Sequence, residues 1–257
     1  MKIQLASFPA YSRLTNENRH QRIDAIVKIL NESPADFVMF SQRVLKDPED
    51  LKVIRALVKN KSITAFIELK EDKGLKGNCM YIFQNGQWMY MDCQIFSEPE
   101  NVTKDAIEYL INDIRGNHFN MRRQFVVEGK KFLVINCGEN NILKGSSGIA
   151  EFRRNEFWLK EWFEDALDSV DVVLNPVHDR WSRFGHFLTR IRKFSEHERY
   201  CFSNTQMEGN QLENALKSPD HNTTHIAMHN SEPLAPISTE VVDAGEEKVL
   251  VQTYEVL

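Results

Sequence analysis

Cysteine, proline and glycine are all scarce: the 257 residues include 4, 8 and 11 of them. So few glycines and prolines exclude collagen-like and low-complexity architectures. The four cysteines, Cys79, Cys93, Cys137 and Cys201, are widely spaced and form no CxxC pair. That pattern indicates neither a zinc site nor a disulfide framework, and the four are expected to be reduced thiols. An excess of positive charge is also missing. Thirty-two basic residues face 37 acidic ones for a net charge of -5, and the basic residues are scattered rather than gathered in a patch, so nucleic acid is not an expected partner. No apolar run reaches the roughly 20 residues that cross a bilayer. The opening "MKIQLASFPA" alternates like a strand and lacks the charged start and apolar block of a leader, so a cytoplasmic protein without membrane contact is expected. No repeat, low-complexity tract or linker-like shift in composition divides the chain, and 257 residues are within reach of one core. The expectation is a single α/β domain over residues 1–257, with no metal and no cofactor.

Short runs rich in Val, Ile, Phe and Tyr are present and alternate with amphipathic stretches. Strands are predicted at "KIQLASF", "ADFVMFS", "SITAFIEL", "CMYIFQ", "QWMYMDCQIF", "KFLVINC", "VDVVLNP", "RYCFSNT", "THIAMHN" and "KVLVQTYEV". "CMYIFQ" and "QWMYMDCQIF", separated by Asn-Gly, read as a hairpin. Helices are predicted over "NENRHQRIDAIVKILNES", "DPEDLKVIRALVKNK", "NVTKDAIEYLINDIRG", "NEFWLKEWFEDALDS" and "WSRFGHFLTRIRKFSEHE". The second opens with Asp47 as cap and Pro48 in the first turn. "ADFVMF" and "VDVVLNP" are apolar on both faces, as in sheets covered on both sides. The stretch from Met207 to Thr224 reads as loop, Glu98 and Glu100 as caps of the following helix, and "RFGHFLTRIRKF" as a helix with a solvated basic face.

The residues with most chemical promise lie in "KFLVINCGENN". A buried strand stops at a cysteine followed by Gly138, which delivers the Cys137 thiol to an open strand end. Cys137 is either a nucleophile or a small buried hydrophobe. Asn136 adjoins it. Glu139 is an interior acid holding the turn or a solvated loop residue. His178 and Arg180, in "NPVHDRW", follow another strand, where the crevices of α/β folds form. His178 either faces such a crevice or is a loop histidine bonded to nearby backbone.

Three landmarks in order, "ADFVMFSQ", "NGQWMYMDCQIF" and "VINCGEN", resemble the nitrilase, or carbon-nitrogen hydrolase, superfamily. The likeness continues through "DVVLNP", "HERYCFSNTQ", "NTTHIAMHNSEPLAPI" and "EEKVLVQTYEVL". The resemblance implies an α/β four-layered αββα sandwich. It also implies hydrolysis or acyl transfer at an amide or nitrile carbon through a Glu-Lys-Cys triad, a small-molecule substrate, and pairing of subunits as a homodimer through the segment from Arg153 to Ser169 and the helix after Trp181. Carried over residue by residue, the nucleophile falls on Cys137, the glutamate on Gln42 and the lysine on Asp92, with Tyr90 and Phe96 as anchors of the last match. Gln42 cannot take up a proton at neutral pH. A carboxylate at 92 repels a developing oxyanion. Two readings therefore stay open: a cysteine-dependent carbon-nitrogen hydrolase or acyl transferase with Asp92 or His178 as altered partners and Arg43, Arg180 or His178 as cation, or a silent member of that fold that binds a small molecule or assembles with a partner.

Overall fold

The computed structural model describes residues 1–70, 78–115, 123–146, 148–178, 184–221 and 223–257. Strand β1 (Lys2–Ser7) leads to α1 (Arg19–Glu32), β2 (Phe37–Phe40), α2 (Pro48–Leu57) and β3 (Thr64–Leu69). A hairpin of β4 (Cys79–Gln84) and β5 (Gln87–Cys93) precedes α3 (Lys104–Ile114), and a second hairpin joins β6 (Gln124–Val127) to β7 (Lys130–Val134). A tight helical turn over Cys137–Ile142 leads to β8 (Leu143–Gly145), β9 (Ala150–Phe152), α4 (Phe157–Asp168), β10 (Val172–Val177) and α5 (Phe184–Phe194). The chain ends through β11 (Tyr200–Thr205), α6 (Gln211–Lys217), β12 (His225–His229), β13 (Glu232–Pro233), β14 (Ser238–Ala244) and β15 (Glu247–Glu255). The result is a mixed α/β fold. One sheet has the order β14-β15-β1-β2-β3-β4-β5 and another β13-β12-β11-β10-β7-β6, while β8 and β9 pair separately. The central strands β1, β2 and β3 of the first sheet run parallel, as do β7, β10 and β11 of the second.

Alternation along these strands assigns their side chains to separate cores. Ile3, Leu5, Phe37, Met39 and Phe66 of the first sheet pack with Phe132, Val134, Val172, Leu174 and Phe202 of the second. The intervening residues Val38, Phe40, Ala65 and Ile67 pack on Ile23, Ile26 and Leu30 of α1 and on Leu51 and Ile54 of α2. On the second sheet, Leu133, Val173 and Cys201 pack with Ile107 and Leu110 of α3, Leu159 and Phe163 of α4, and Ile191 and Phe194 of α5. Each central strand thus buries both faces, which is why "FVMF" and "VVLNPV" carry no polar alternation.

Asp47 caps α2 by accepting from Glu49 N at 2.9 Å. The Asn85-Gly86 turn has both residues at positive φ, 53° and 74°, the backbone of a tight hairpin connection. Several expectations are corrected. Cys79 and Cys93 form a disulfide. A register shift between Met80 and Tyr81 gives β5 one extra residue, so the two cysteines become direct cross-strand partners with Cα atoms 4.2 Å apart. The stretch read as loop from Met207 contains α6, whose short apolar contribution, Leu212 and Ala215, packs on Leu250. Thr103, not Glu98 or Glu100, caps α3, accepting from Ala106 N at 3.2 Å. Phe157, Trp158, Trp162 and Phe163 recur at helical spacing, which reads as core or a subunit contact; Phe163 is core, whereas Trp158 and Trp162 lie against each other under Lys104 and Arg115, and Phe157 is 69% exposed.

Candidate active site

Strand β7 ends in apolar residues packed on both sides, and the chain then turns sharply at Asn136. The Asn136 side-chain oxygen accepts from Cys137 N at 2.8 Å, while Asn136 N donates to Glu139 Oε2 at 2.8 Å. These reciprocal bonds form a capping box that starts the turn carrying Cys137. Gly138 is required there, because a Cβ would run into the backbone of Phe96 and Ser97. Glu139 is fully buried and also accepts from Ile95 N at 2.9 Å and from both terminal nitrogens of Arg123 at 2.7 and 2.9 Å. Arg123 in turn donates to Asp113 at 2.7 Å and to the carbonyl of Cys93 at 2.9 Å. Burial opposes the Arg123 charge, but Glu139 and Asp113 outweigh it and hold the guanidinium protonated. The sulfur-bearing turn is therefore fixed to β5 and α3 by charge-assisted bonds that water does not reach.

Cys137 itself is half-buried beside the core under α3, α4 and α5. His178, directly after β10, is close enough to Cys137 to feel its side chain. Its Nε2 lies 3.0 Å from Oε1 of Glu68, a fully buried carboxylate near the end of β3 in the other sheet. Burial favours neutral His178, yet the Glu68 charge and the influence of Cys137 prevail and raise it from 6.5 to about 9. At neutral pH His178 is an imidazolium standing between Glu68 and the sulfur.

Gln42, fully buried beyond β2, donates its side-chain amide to the Asn136 side-chain oxygen, and its main-chain carbonyl accepts from Gln206 Nε2 at 2.6 Å. Gln42 Oε1 and Asn136 Nδ2 are buried without a partner among the described residues. Asp92 is 2% exposed, and its Oδ1 accepts from Cys93 N at 2.7 Å and from the Tyr90 hydroxyl at 3.4 Å, within its own hairpin. Arg43, at positive φ, donates to Asn78 Oδ1 at 2.9 Å. Arg180 lies outside the described residues. The structure thus brings Gln42, Asn136, Cys137, Glu139 and His178 into one connected set.

Sequence reasoning missed Glu68, Arg123 and Arg190. Glu68 left one signal, a lone acid within the otherwise apolar and fully buried "TAFIEL". Arg190 was assigned to a solvated basic face, yet it is largely withdrawn from solvent and feels the Cys137 charge. Among the described residues no group of three or more His, Cys, Asp or Glu could hold a metal ion.

No protein-family model and no curated protein matches the sequence. Solved structures do. A carbon-nitrogen hydrolase from Helicobacter pylori G27 superposes with a TM-score of 0.56 at 12% identity, over 99% of this chain and 90% of that one. An amidase of the nitrilase superfamily from Nesterenkonia AN1, in a Cys→Ala mutant form, gives 0.55 at 11% identity over 98% and 90%. A Glu→Gln mutant of the Nesterenkonia amidase, with the acetamide moiety of fluoroacetamide added covalently at its active-site cysteine, gives 0.53 at 12% over 98% and 89%. At these identities the likeness is one of fold, and the fold of this chain is that of the nitrilase-superfamily carbon-nitrogen hydrolases.

Proposed function

We propose that this chain is a nitrilase-superfamily protein of the four-layered αββα type that hydrolyses, or transfers the acyl group from, an amide or nitrile carbon of a small molecule through Cys137. The observation that carries the proposal is the row Glu68, His178, Cys137, which supplies a proton carrier that Gln42 cannot be. For an amide, the Cys137 thiolate attacks the carbonyl carbon and the His178 imidazolium protonates the departing amine as the thioester forms. Neutral His178 then takes a proton from water, whose hydroxide displaces the sulfur, releases the acid and restores the starting charges. Glu68 orients the ring and stabilises its charged form. Asn136 Nδ2, buried without a partner among the described residues and on the residue next to Cys137, is the donor for the developing oxyanion. Pairing of two copies through α4 and α5 belongs to the same proposal, with exposed Phe157 as its apolar contact.

The Nesterenkonia Glu→Gln mutant supplies the probe. Fluoroacetamide added to this protein should place an acetamide adduct on Cys137 and none on Cys201, whose thiol is pushed up by burial. The rate should fall about 10²-fold or more in His178→Ala, the range of a positioned base. No adduct at Cys137, or an equal rate in the variant, would overturn the hydrolase reading and leave a silent fold that binds or assembles.

A further inference from the structure

The Cys79–Cys93 disulfide stands where two supports of the candidate site meet. On the β5 side, the Cys93 carbonyl accepts from Arg123 at 2.9 Å, and Arg123 holds Glu139, which anchors the turn bearing Cys137. Just beyond, Ile95 N donates to Glu139 at 2.9 Å, and the backbone of Phe96 and Ser97 closes on Gly138. On the β4 side, Asn78 adjoins Cys79. Its Oδ1 accepts from Arg43 Nε at 2.9 Å, and its main-chain oxygen accepts from Gln94 N at 3.3 Å. Arg43 follows Gln42, whose side chain bonds that of Asn136. The disulfide thus ties the segment behind Gln42 to the segment under Cys137.

The strand pairing around that bond is short. Next to the hairpin turn, four residue pairs run from Tyr81↔Tyr90 to Gln84↔Gln87, whereas beyond the register shift the described pairs are only Met80↔Asp92 and Cys79↔Cys93. Strand β5 also stands last in the order of its sheet among the described strands. A bulge disrupts the ladder where it occurs, and a few pairs at the end of an outer strand open at far lower cost than a sheet centre. The covalent bond offsets that weakness by keeping the two ends together.

We infer that the Cys79–Cys93 bond is a redox switch for the Cys137 site: a dithiol reductant opens it, the end of the hairpin frays, and the turn bearing Cys137 loses its support. In the exchange, a thiolate of the reductant attacks one protein sulfur and displaces the other as thiolate. The reductant's second thiolate then attacks the mixed disulfide. Two electrons pass to the protein, both cysteines end as thiols with the dithiol's protons, and the dithiol closes as its own disulfide. The exposed Tyr90 hydroxyl, 3.1 Å from Cys93 Sγ, is placed to donate to that sulfur as it leaves. The effect on catalysis rests on the reading of Cys137 as nucleophile; the link from the disulfide to the turn does not.

The test equilibrates the full chain with reduced and oxidised dithiothreitol in graded ratios, follows the Cys79–Cys93 state by mass spectrometry, and removes the small thiols before each reading. Two quantities are read: hydrogen exchange of the Cys137–Ile142 amides, with β1 and β10 as internal controls, and the rate of fluoroacetamide labelling at Cys137, resolved by peptide. On reduction the turn should exchange about tenfold faster and Cys137 should label about tenfold more slowly, the worth of a hydrogen bond to a charged group. Exchange in β1 and β10 should stay as it was, and reoxidation should restore both quantities. A chain carrying Cys79→Ser and Cys93→Ser should show the reduced values in every buffer. The switch is overturned by cysteines that do not change state across the series, by turn exchange that reduction leaves unchanged, by a rise shared with β1 and β10, or by a reactive Cys137 labelled equally in both states. A Cys137 unreactive throughout, beside turn exchange that follows the disulfide, would sink the hydrolase reading alone and leave the coupling standing.

Discussion

Glu68 is a carboxylate buried at the meeting of two sheets, and His178 is the partner that makes its charge tolerable. The pair sets the pH behaviour of the site. His178 is raised above its ordinary 6.5, so the stabilisation it contributes is fully present below about 6.5 and is lost as pH rises through about 9. The reactive imidazolium disappears over the same interval. In Glu68→Gln the main opposing influence on burial is removed, so the ring should titrate well below 9 and the alkaline limb of Cys137 alkylation should move down with it. A His178 NMR titration curve unchanged by the substitution would refute the pairing. At this scale the sequence was informative where chemistry is local. Asn136 and Glu139 stand three apart around the Cys137–Gly138 pair, which is a capping-box spacing. It was uninformative for Glu68 and His178, which are 110 residues apart and meet only because β3 and β10 belong to facing sheets.

Among the elements, the β4–β5 hairpin connects to the turn bearing the sulfur through the Cys93 carbonyl and Arg123. Its turn was legible, because Asn-Gly tolerates the positive φ that a two-residue connection needs. Its disulfide was not. The cysteines stand unequal distances from that turn, and the one-residue bulge that aligns them leaves no mark in composition. With 14 residues of separation, the bridge should contribute about 3 kcal/mol by limiting the unfolded chain. Urea unfolding of Cys79→Ser should show a loss of that order, and wild type held in dithiothreitol should match the variant. A wild type unaffected by reductant would show that the bridge does not form in solution. Helix α6 escaped notice for a related reason, since seven residues with few apolar positions carry too little periodicity to stand out.

Across the whole molecule, polar groups fasten the two large sheets inside their apolar interface. His225 of β12 lies 2.8 Å from the Ser7 hydroxyl of β1 and 2.9 Å from Gln252 Oε1 of β15. Asn204 of β11 donates to the Met39 carbonyl at 3.1 Å. Main-chain bonds from Ala10 and Met207, at 3.0 and 2.9 Å, tie the chain just beyond β1 to the chain just beyond β11. Burial drops His225 from 6.5 to about 3, with the Gln252 bond only partly offsetting it. The sign follows from that depression. Stability is fully present above about 6.5 and falls as pH drops toward 3, because the unfolded chain binds the proton first. Thermal unfolding between pH 7 and 4 should therefore show a fall that is smaller in His225→Gln, whose ring cannot charge. An equal fall in both would remove His225 from the account.

The sequence by itself determined the alternation of elements, the doubly buried central strands and the address of Cys137, because each is written in neighbouring residues: periodicity, turn chemistry and a strand end followed by glycine. Tertiary structure alone decided the company of that cysteine. Glu68 of β3, His178 directly after β10 and Arg190 of α5 come from separate parts of the chain, and which of them face one another depends on sheet order and register. A one-residue slip reverses the face a strand side chain occupies, and no local pattern encodes its outcome.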